Sequence, residues 1–111
     1  LLFEAAVAGG IPVVRVLRDS LAGTEVKRVS GILNGTCNFI TSTMLDTGRS
    51  YDDVLAEAQK RGYAEADPTL DVSGMDAAHK AAILSAIAFS ADLDFSKVDV
   101  RGIEEIGRIH L

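Results

Sequence analysis

Asp76 and Lys80 are the residues of this sequence whose types and spacing are best suited to chemistry. On a helix, side chains four positions apart lie one above the other, and an exposed ion pair of this kind contributes only a few tenths of a kcal/mol. However, at about 100° per residue both charges fall on the stripe that carries Ile83, Leu84 and Ile87. Charged groups on a stripe that should face the core are costly unless they are paired or line a cleft, so this pattern indicates a site.

The residues that precede Asp76 are rich in acids. Glu65, Asp67 and Asp71 come before it, and Lys80 is the only lysine or arginine between residues 62 and 80. A lysine in such a place can donate a hydrogen bond or a proton to an oxygen on which charge develops. The acids could bind a cationic group such as the ammonium of an amino acid. They could instead bind Mg²⁺ or Ca²⁺, although a lysine among the ligands would compete with the metal.

The stretch LNGTCNF at residues 33–39 is a second candidate, because Asn34 and Gly35 end a predicted strand and Thr36 begins a predicted helix. Free N–H groups at a helix start suit a carboxylate or phosphate, although a plain N-cap has the same pattern. Cys37 could be a nucleophile, as in enzymes that form thioesters from aldehydes. No histidine stands in a context that indicates a partner base, and a small packed residue is common at this position.

These candidates must be positioned by helices and strands that alternate along the chain, so the predicted fold class is α/β or α+β, with strands covered by helices on one face. Helices are predicted up to Gly9-Gly10, from Thr36 to a stop at Gly48, from a cap at Ser50 to Gly62, and from about Gly74 to Phe89. Strands are predicted at Val13 to Leu17, Glu25 to Leu33 and Lys97 to Ile103, with a turn or short helix at Asp19 to Gly23.

The composition limits the class of protein. The chain has 111 residues and a net charge of -5, which fit one domain over residues 1–111 and argue against a nucleic-acid partner. No apolar run approaches the roughly 20 residues that cross a membrane. A lone cysteine suits a reducing compartment such as the cytoplasm. The chain begins without Met, and both of its ends are interpreted as cut. His79 and His110 are predicted to be structural or solvent-exposed.

Three segments together closely resemble the substrate-binding region of homoserine dehydrogenase. They are FEAAVAGGIP at 3–12, GILNGTCNFI at 31–40 and AQKRGYAEADPTLDVSGMDAAHK at 58–80, and they occur in the family's order. The resemblance implies NAD(P)-dependent interconversion of L-homoserine and L-aspartate 4-semialdehyde, on the route to threonine, methionine and isoleucine. It also implies an α/β catalytic domain with a mixed sheet, which forms a homodimer.

The resemblance assigns roles to individual residues. Lys80 matches the family's catalytic lysine, and Asp76 matches an acid of the pocket that we group with it as catalytic. The matched substrate-binding positions are Glu65, Asp71, Gly35, Thr36 and Tyr63. The matched sodium-binding positions are Glu4, Val7, Gly9 and Ile11, of which the last three would bind through backbone carbonyls. Cys37 stands where the family usually has a small hydroxyl residue, which is a conservative change if the residue only packs.

The sequence contains no strand followed by G-x-G-x-x-G, so the resemblance does not extend to a dinucleotide site. NAD or NADP would therefore be bound mainly by another part of the parent protein, and this piece alone is predicted to be inactive. Two other interpretations stay open. One is a non-catalytic module that binds an amino acid or forms a dimer, and the other is a semialdehyde dehydrogenase that uses Cys37.

Overall fold

The computed structural model describes residues 25–89 and 94–107, which belong to two compact units. The first unit contains residues 25–33, 78–89 and 94–99, and the second contains residues 34–77 and 100–107. The described helices are α1 (Gly35–Thr47), α2 (Tyr51–Lys60), α3 (Thr69–Val72), α4 (Met75–Ala88) and a 3₁₀ helix (Phe95–Lys97). The single domain expected from the sequence stays a prediction.

Helix α1 begins and ends at residues that suit those positions. The side-chain oxygen of its N-cap, Asn34, accepts a hydrogen bond from the backbone N–H of Cys37. Its C-cap, Gly48, has a φ of 71°, and the Gly48 N–H donates to the Met44 carbonyl over 2.8 Å. Glycine adopts this left-handed conformation without a steric penalty. The predicted helix with a stop at Gly48 is confirmed.

Helix α2 also follows the prediction. The Ser50 hydroxyl accepts a hydrogen bond of 3.2 Å from the Asp53 N–H, which confirms Ser50 as the N-cap. Asp52 and Asp53 lie in the first turn and Lys60 lies in the last, so the charges of this helix complement its dipole.

The core of the second unit is formed by one face of α1, one face of α2 and the chain that follows them. Its buried side chains are Ile40 and Met44 of α1, Val54 and Ala58 of α2, Ala64, and Val72 of α3. Within α1 and within α2 the buried residues are four positions apart, which is the spacing of one helix face. Ala64 and Val72 thereby attach the connection between α2 and α3 to the two longer helices.

The segment after residue 99 returns to the end of α3 in this second unit. The Ile103 N–H donates to the Val72 carbonyl over 2.8 Å. Gly74 has a φ of 86°, and a Cβ atom at this position would lie 2.7 Å from the Arg101 carbonyl oxygen. A Cβ atom on Gly102 would lie 2.7 Å from the Val72 oxygen. The two backbones therefore approach closely because both positions are glycine.

Helix α4 has nearly its predicted bounds, but its buried residues match the predicted core-facing stripe only in part. Leu84 of that stripe is buried, whereas Ile83 and Ile87 are only half-buried. On the opposite side of the helix, Ala78 and Ala82 are buried as well. Because alanine side chains are small, other segments of the same polypeptide can approach them closely. Burial along this helix therefore does not follow side-chain size.

The predicted strands at Glu25 to Leu33 and at Lys97 to Ile103 are not formed, and no strand is present among the described residues. In the first segment the apolar residues Val26, Val29 and Ile32 recur every third position, whereas a half-buried strand needs alternation. Ile32 is 76% exposed. The second segment begins with the 3₁₀ helix and continues as irregular chain. The sheet of the predicted α/β class is therefore not observed in this part of the chain.

Three predicted features lie outside the described residues: the helix ending at Gly9-Gly10, the strand at Val13 to Leu17 and the turn at Asp19 to Gly23. Among the residues that are described, no helix has both the length and the apolar character needed to span a membrane.

Candidate active site

Two of the predicted site residues, Asp71 and Asp76, converge on one side-chain amide. The Nδ2 atom of Asn34 donates to Asp71 Oδ1 and to Asp76 Oδ2, each over 2.8 Å. The Oδ1 atom of the same amide accepts from the Cys37 N–H over 2.8 Å. Asn34 is only 8% exposed. The N-cap of α1 thus joins an acid of α3 to an acid of the first turn of α4.

Cys37 lies beside this cluster and contributes a donor rather than a nucleophile. Its Sγ atom lies 3.2 Å from the Asp71 carbonyl oxygen, to which the thiol donates. Burial, followed by the negative charges of Asp71 and Asp76, raises the pKa of the Cys37 thiol to about 11. A thiolate is the reactive form of cysteine, and this environment disfavours it. The site therefore gives no support to the interpretation in which Cys37 attacks an aldehyde.

An open depression lies at the start of α1, next to the loop after α2. It has a volume of about 470 Å³ and is lined by Gly35, Thr36, Phe39 and Tyr63. The Thr36 hydroxyl donates to the Tyr63 carbonyl over 2.6 Å, and the rings of Phe39 and Tyr63 meet edge to face with centroids 5.1 Å apart. Gly35, Thr36 and Tyr63, which the resemblance assigned to a pocket, therefore lie together.

An ion network lies beside the Phe39 ring. The Arg61 guanidinium lies 5.8 Å from the centre of the Phe39 ring, and the same group is 2.6 Å from a Glu57 carboxylate oxygen. Arg49 also donates to Glu57. Hydrogen bonding from Arg49 and the charges of both arginines hold the pKa of the Glu57 carboxyl below its usual range. Arg61, which follows α2, thereby connects this ion network to the Phe39 ring of the depression.

Glu65 is not drawn into the acidic cluster by the contacts seen in the described residues. Its side chain is exposed, and its backbone carbonyl accepts from Gln59 Nε2 over 3.0 Å. The same Gln59 amide also donates to the Ala66 carbonyl over 3.3 Å. Gln59 therefore fixes the backbone at Glu65, while the carboxylate extends into solvent.

Lys80 is half-buried in the first unit. Its Nζ atom donates to the Leu33 carbonyl over 2.9 Å. This hydrogen bond orients the amine. The lysine that was singled out from its helical position thus has a defined direction.

The remaining candidates are structural or lie elsewhere. The His79 ring is tilted against Phe95 with centroids 4.6 Å apart, as expected for a structural histidine, and His110 lies outside the described residues. The four predicted sodium ligands, Glu4, Val7, Gly9 and Ile11, also lie outside them. Over residues 25–89 and 94–107, no group of three His, Cys, Asp or Glu side chains is arranged to hold a metal ion.

The role of Asn34 was not predicted from the sequence. An asparagine just before a predicted helix is a typical N-cap, so its contact with Cys37 could have been expected. Its contacts with Asp71 and Asp76 span 37 and 42 residues of sequence, and no local pattern predicts them.

Several known proteins are similar to this chain, and they belong to one family. The family model of homoserine dehydrogenase matches residues 12–111. The homoserine dehydrogenase of Pseudomonas aeruginosa is 56% identical over 104 residues, which are 94% of this chain and 24% of that protein. The homoserine dehydrogenase of Corynebacterium glutamicum is 58% identical over 106 residues, which are 96% of this chain and 24% of that protein.

Solved structures agree. The homoserine dehydrogenase of Thiobacillus denitrificans superposes with a TM-score of 0.92 at 54% identity, covering 96% of this chain and 25% of that one. A hyperthermophilic archaeal homoserine dehydrogenase mutant in complex with NADPH gives 0.81 at 30% identity, covering 96% and 33%. All of these proteins are dehydrogenases. The chain belongs to the homoserine dehydrogenase family, and it spans about a quarter of the length of the curated relatives it matches.

Proposed function

We propose that this chain forms the substrate-binding part of an enzyme that interconverts L-homoserine and L-aspartate 4-semialdehyde with NAD or NADP. The observation that carries the proposal is the convergence of Asp71 and Asp76 on one amide, in a chain whose family model covers residues 12–111. Two adjacent carboxylates attract a cation. Both homoserine and the semialdehyde carry an α-ammonium group at neutral pH.

The proposed roles follow from the chemistry of each side chain. Asp71 and Asp76 bind the ammonium group and so orient the amino acid. A role of Glu65 in substrate binding stays a prediction from the resemblance. The depression lined by Gly35, Thr36 and Tyr63 holds the rest of the substrate. Lys80 donates a proton to the substrate oxygen during reduction of the aldehyde and receives it during oxidation of the alcohol. The hydrogen bond of Lys80 to the Leu33 carbonyl holds the amine in place.

The nicotinamide cofactor, when bound, supplies the hydride chemistry. The residues of this chain do not fit a binding site for this cofactor, because the sequence has no strand followed by the glycine-rich dinucleotide fingerprint. We therefore assign the cofactor to another part of the parent protein. The relative that was solved with NADPH supports the choice of a nicotinamide cofactor.

The broader setting is also proposed from the family. The parent protein acts in the cytoplasm as a homodimer, on the route to threonine, methionine and isoleucine. A mixed sheet in its catalytic domain stays a prediction from the resemblance. Sodium binding by Glu4, Val7, Gly9 and Ile11 stays a prediction from the resemblance.

Steady-state kinetics of the full-length protein test the proposal. With L-homoserine and NAD⁺ or NADP⁺, the protein should form the reduced nicotinamide. Asp71→Asn and Asp76→Asn should each raise KM for homoserine by about tenfold, because each removes one charge from the ammonium site. Asp53→Asn, at an exposed position of α2, is the matched control and should leave KM unchanged. A protein that reduces neither nucleotide with homoserine would contradict the assignment.

A further inference from the structure

Asn34 makes more hydrogen bonds than a helix cap requires. A capping side chain needs only its oxygen, and here Oδ1 accepts from the Cys37 N–H. The amide nitrogen is used as well, because its two protons are donated to two different carboxylates. Among the described residues, Asn34 is the only polar or charged residue that is buried.

The orientation of this amide is fixed by its neighbours. In the reverse orientation, its oxygen would face two carboxylates and its NH₂ group would face the Cys37 N–H. All three contacts would then be repulsive. The amide therefore has one compatible orientation, and the cap at the start of α1 determines where its two donors point.

A neutral donor at this position has a specific electrostatic consequence. One oxygen of Asp71 and one oxygen of Asp76 each lie 2.8 Å from the same Asn34 nitrogen, so the two oxygens are at most twice that distance apart. The amide itself adds no positive charge. An arginine or lysine in the same place would fix the two acids but would also add a positive charge beside them. The amide sets their spacing and adds no charge of its own.

The backbone at Asp71 is held independently of this amide. The Cys37 thiol donates to the Asp71 carbonyl, and the Val72 side chain is part of the core. Loss of the Asn34 amide should therefore release the carboxylates without moving the backbone of α3. This separation allows a positioning role to be distinguished from a folding role.

We propose that Asn34 is a positioning residue for amino-acid recognition, which orients Asp71 and Asp76 to receive the substrate ammonium. This inference rests on the proposed function, since it takes the ammonium site as given. Asn34 itself does not contact the reacting atoms. It strengthens the binding of ligands that carry an α-ammonium group and does not change the binding of ligands that lack one.

The test uses two competitive inhibitors of the full-length enzyme. L-2-aminobutanoate keeps the ammonium group of homoserine and lacks its hydroxyl, whereas 4-hydroxybutanoate keeps the hydroxyl and lacks the ammonium group. Asn34→Ser retains an oxygen that caps α1 but replaces the two amide N–H donors by one hydroxyl on a shorter side chain, and Asn34→Ala removes the cap as well. Both variants should raise the inhibition constant of L-2-aminobutanoate by about tenfold and that of 4-hydroxybutanoate by less than about twofold.

Ser50→Ala is the matched control, because it removes the N-cap of α2 and leaves the acidic cluster intact. It should change neither inhibition constant. Equal weakening of both inhibitors, or an effect of Asn34→Ala that Asn34→Ser does not share, would overturn the inference. Direct calorimetric binding of the two compounds gives the same comparison even if the wild-type protein oxidises no homoserine. Failure of the proposed function and failure of the Asn34 role are therefore separate results.

Discussion

At residue 37 a thiol stands beside two carboxylates, and this environment predicts its reactivity. Because the pKa of Cys37 is about 11, the folded protein should react slowly with iodoacetamide at pH 8. The rate should rise with pH and reach half of its maximum near pH 11. In denaturant, the half-maximal rate should fall near pH 9.0, the ordinary pKa of the thiol. Mass spectrometry of the Cys37 peptide measures both rates, and rapid labelling of the folded protein at neutral pH would refute the assignment.

The same thiol should make stability depend on pH. Its pKa is raised in the folded protein, so its contribution to the free energy of unfolding is complete below about pH 9. The contribution is lost as pH rises from about 9 to about 11, because the unfolded thiol ionises first. Urea unfolding of the wild type and of Cys37→Ser over this range isolates the effect. Parallel curves for the two proteins would exclude it.

Single residues show how much of the site was predictable. Lys80 and Asp76 were singled out from helical spacing, and each is half-buried. The reason given for choosing them was partly wrong, because the apolar stripe they share is not the only buried side of α4. Glu65 was assigned from the resemblance, yet its carboxylate extends into solvent. Short-range patterns identify residue types, whereas the meeting of Asn34 with two distant acids depends on the tertiary fold.

At the scale of elements, two glycines with left-handed backbone offer a matched pair. Gly62 has a φ of 79°, and a Cβ atom added there would meet open space, so Gly62→Ala should cost about 1 kcal/mol from backbone strain alone. Gly74→Ala adds a collision with the Arg101 carbonyl and should cost at least about 1 kcal/mol more. Urea unfolding of the two variants measures the difference. Equal losses would show that the segment after residue 99 does not pack closely against Gly74.

The longer helices α1, α2 and α4 could be predicted from the sequence, whereas the two predicted strands that fall on described residues are not formed. The bounds of α1 and α2 are set locally, by Asn34, Gly48 and Ser50, and local signals are visible in a sequence. Helix α3 was missed because it has four residues and no side-chain cap. A strand depends on a partner elsewhere in the chain, so the spaced β-branched residues Val26, Val29 and Ile32 were not sufficient.

At the scale of the whole molecule, the 111-residue chain by itself should not oxidise homoserine. It carries the proposed ammonium site and the proposed proton donor, but its sequence lacks the dinucleotide fingerprint. The measurement is formation of reduced nicotinamide by the isolated chain, beside the full-length protein at equal concentration. Turnover by the isolated chain would show that the nucleotide is bound without that fingerprint.

The central claim is that Lys80 transfers the proton at the substrate oxygen. Lys80→Ala in the full-length enzyme should lower kcat by about 100-fold or more, with a much smaller change in KM, because the lost interaction belongs to the transition state. Lys97→Ala is the matched control, since its side chain is 83% exposed and its Nζ atom lies 3.9 Å from Asp94. If Lys80 transfers this proton, kcat should be normal for Lys97→Ala and strongly reduced for Lys80→Ala. A Lys80→Ala enzyme with wild-type kcat would contradict it.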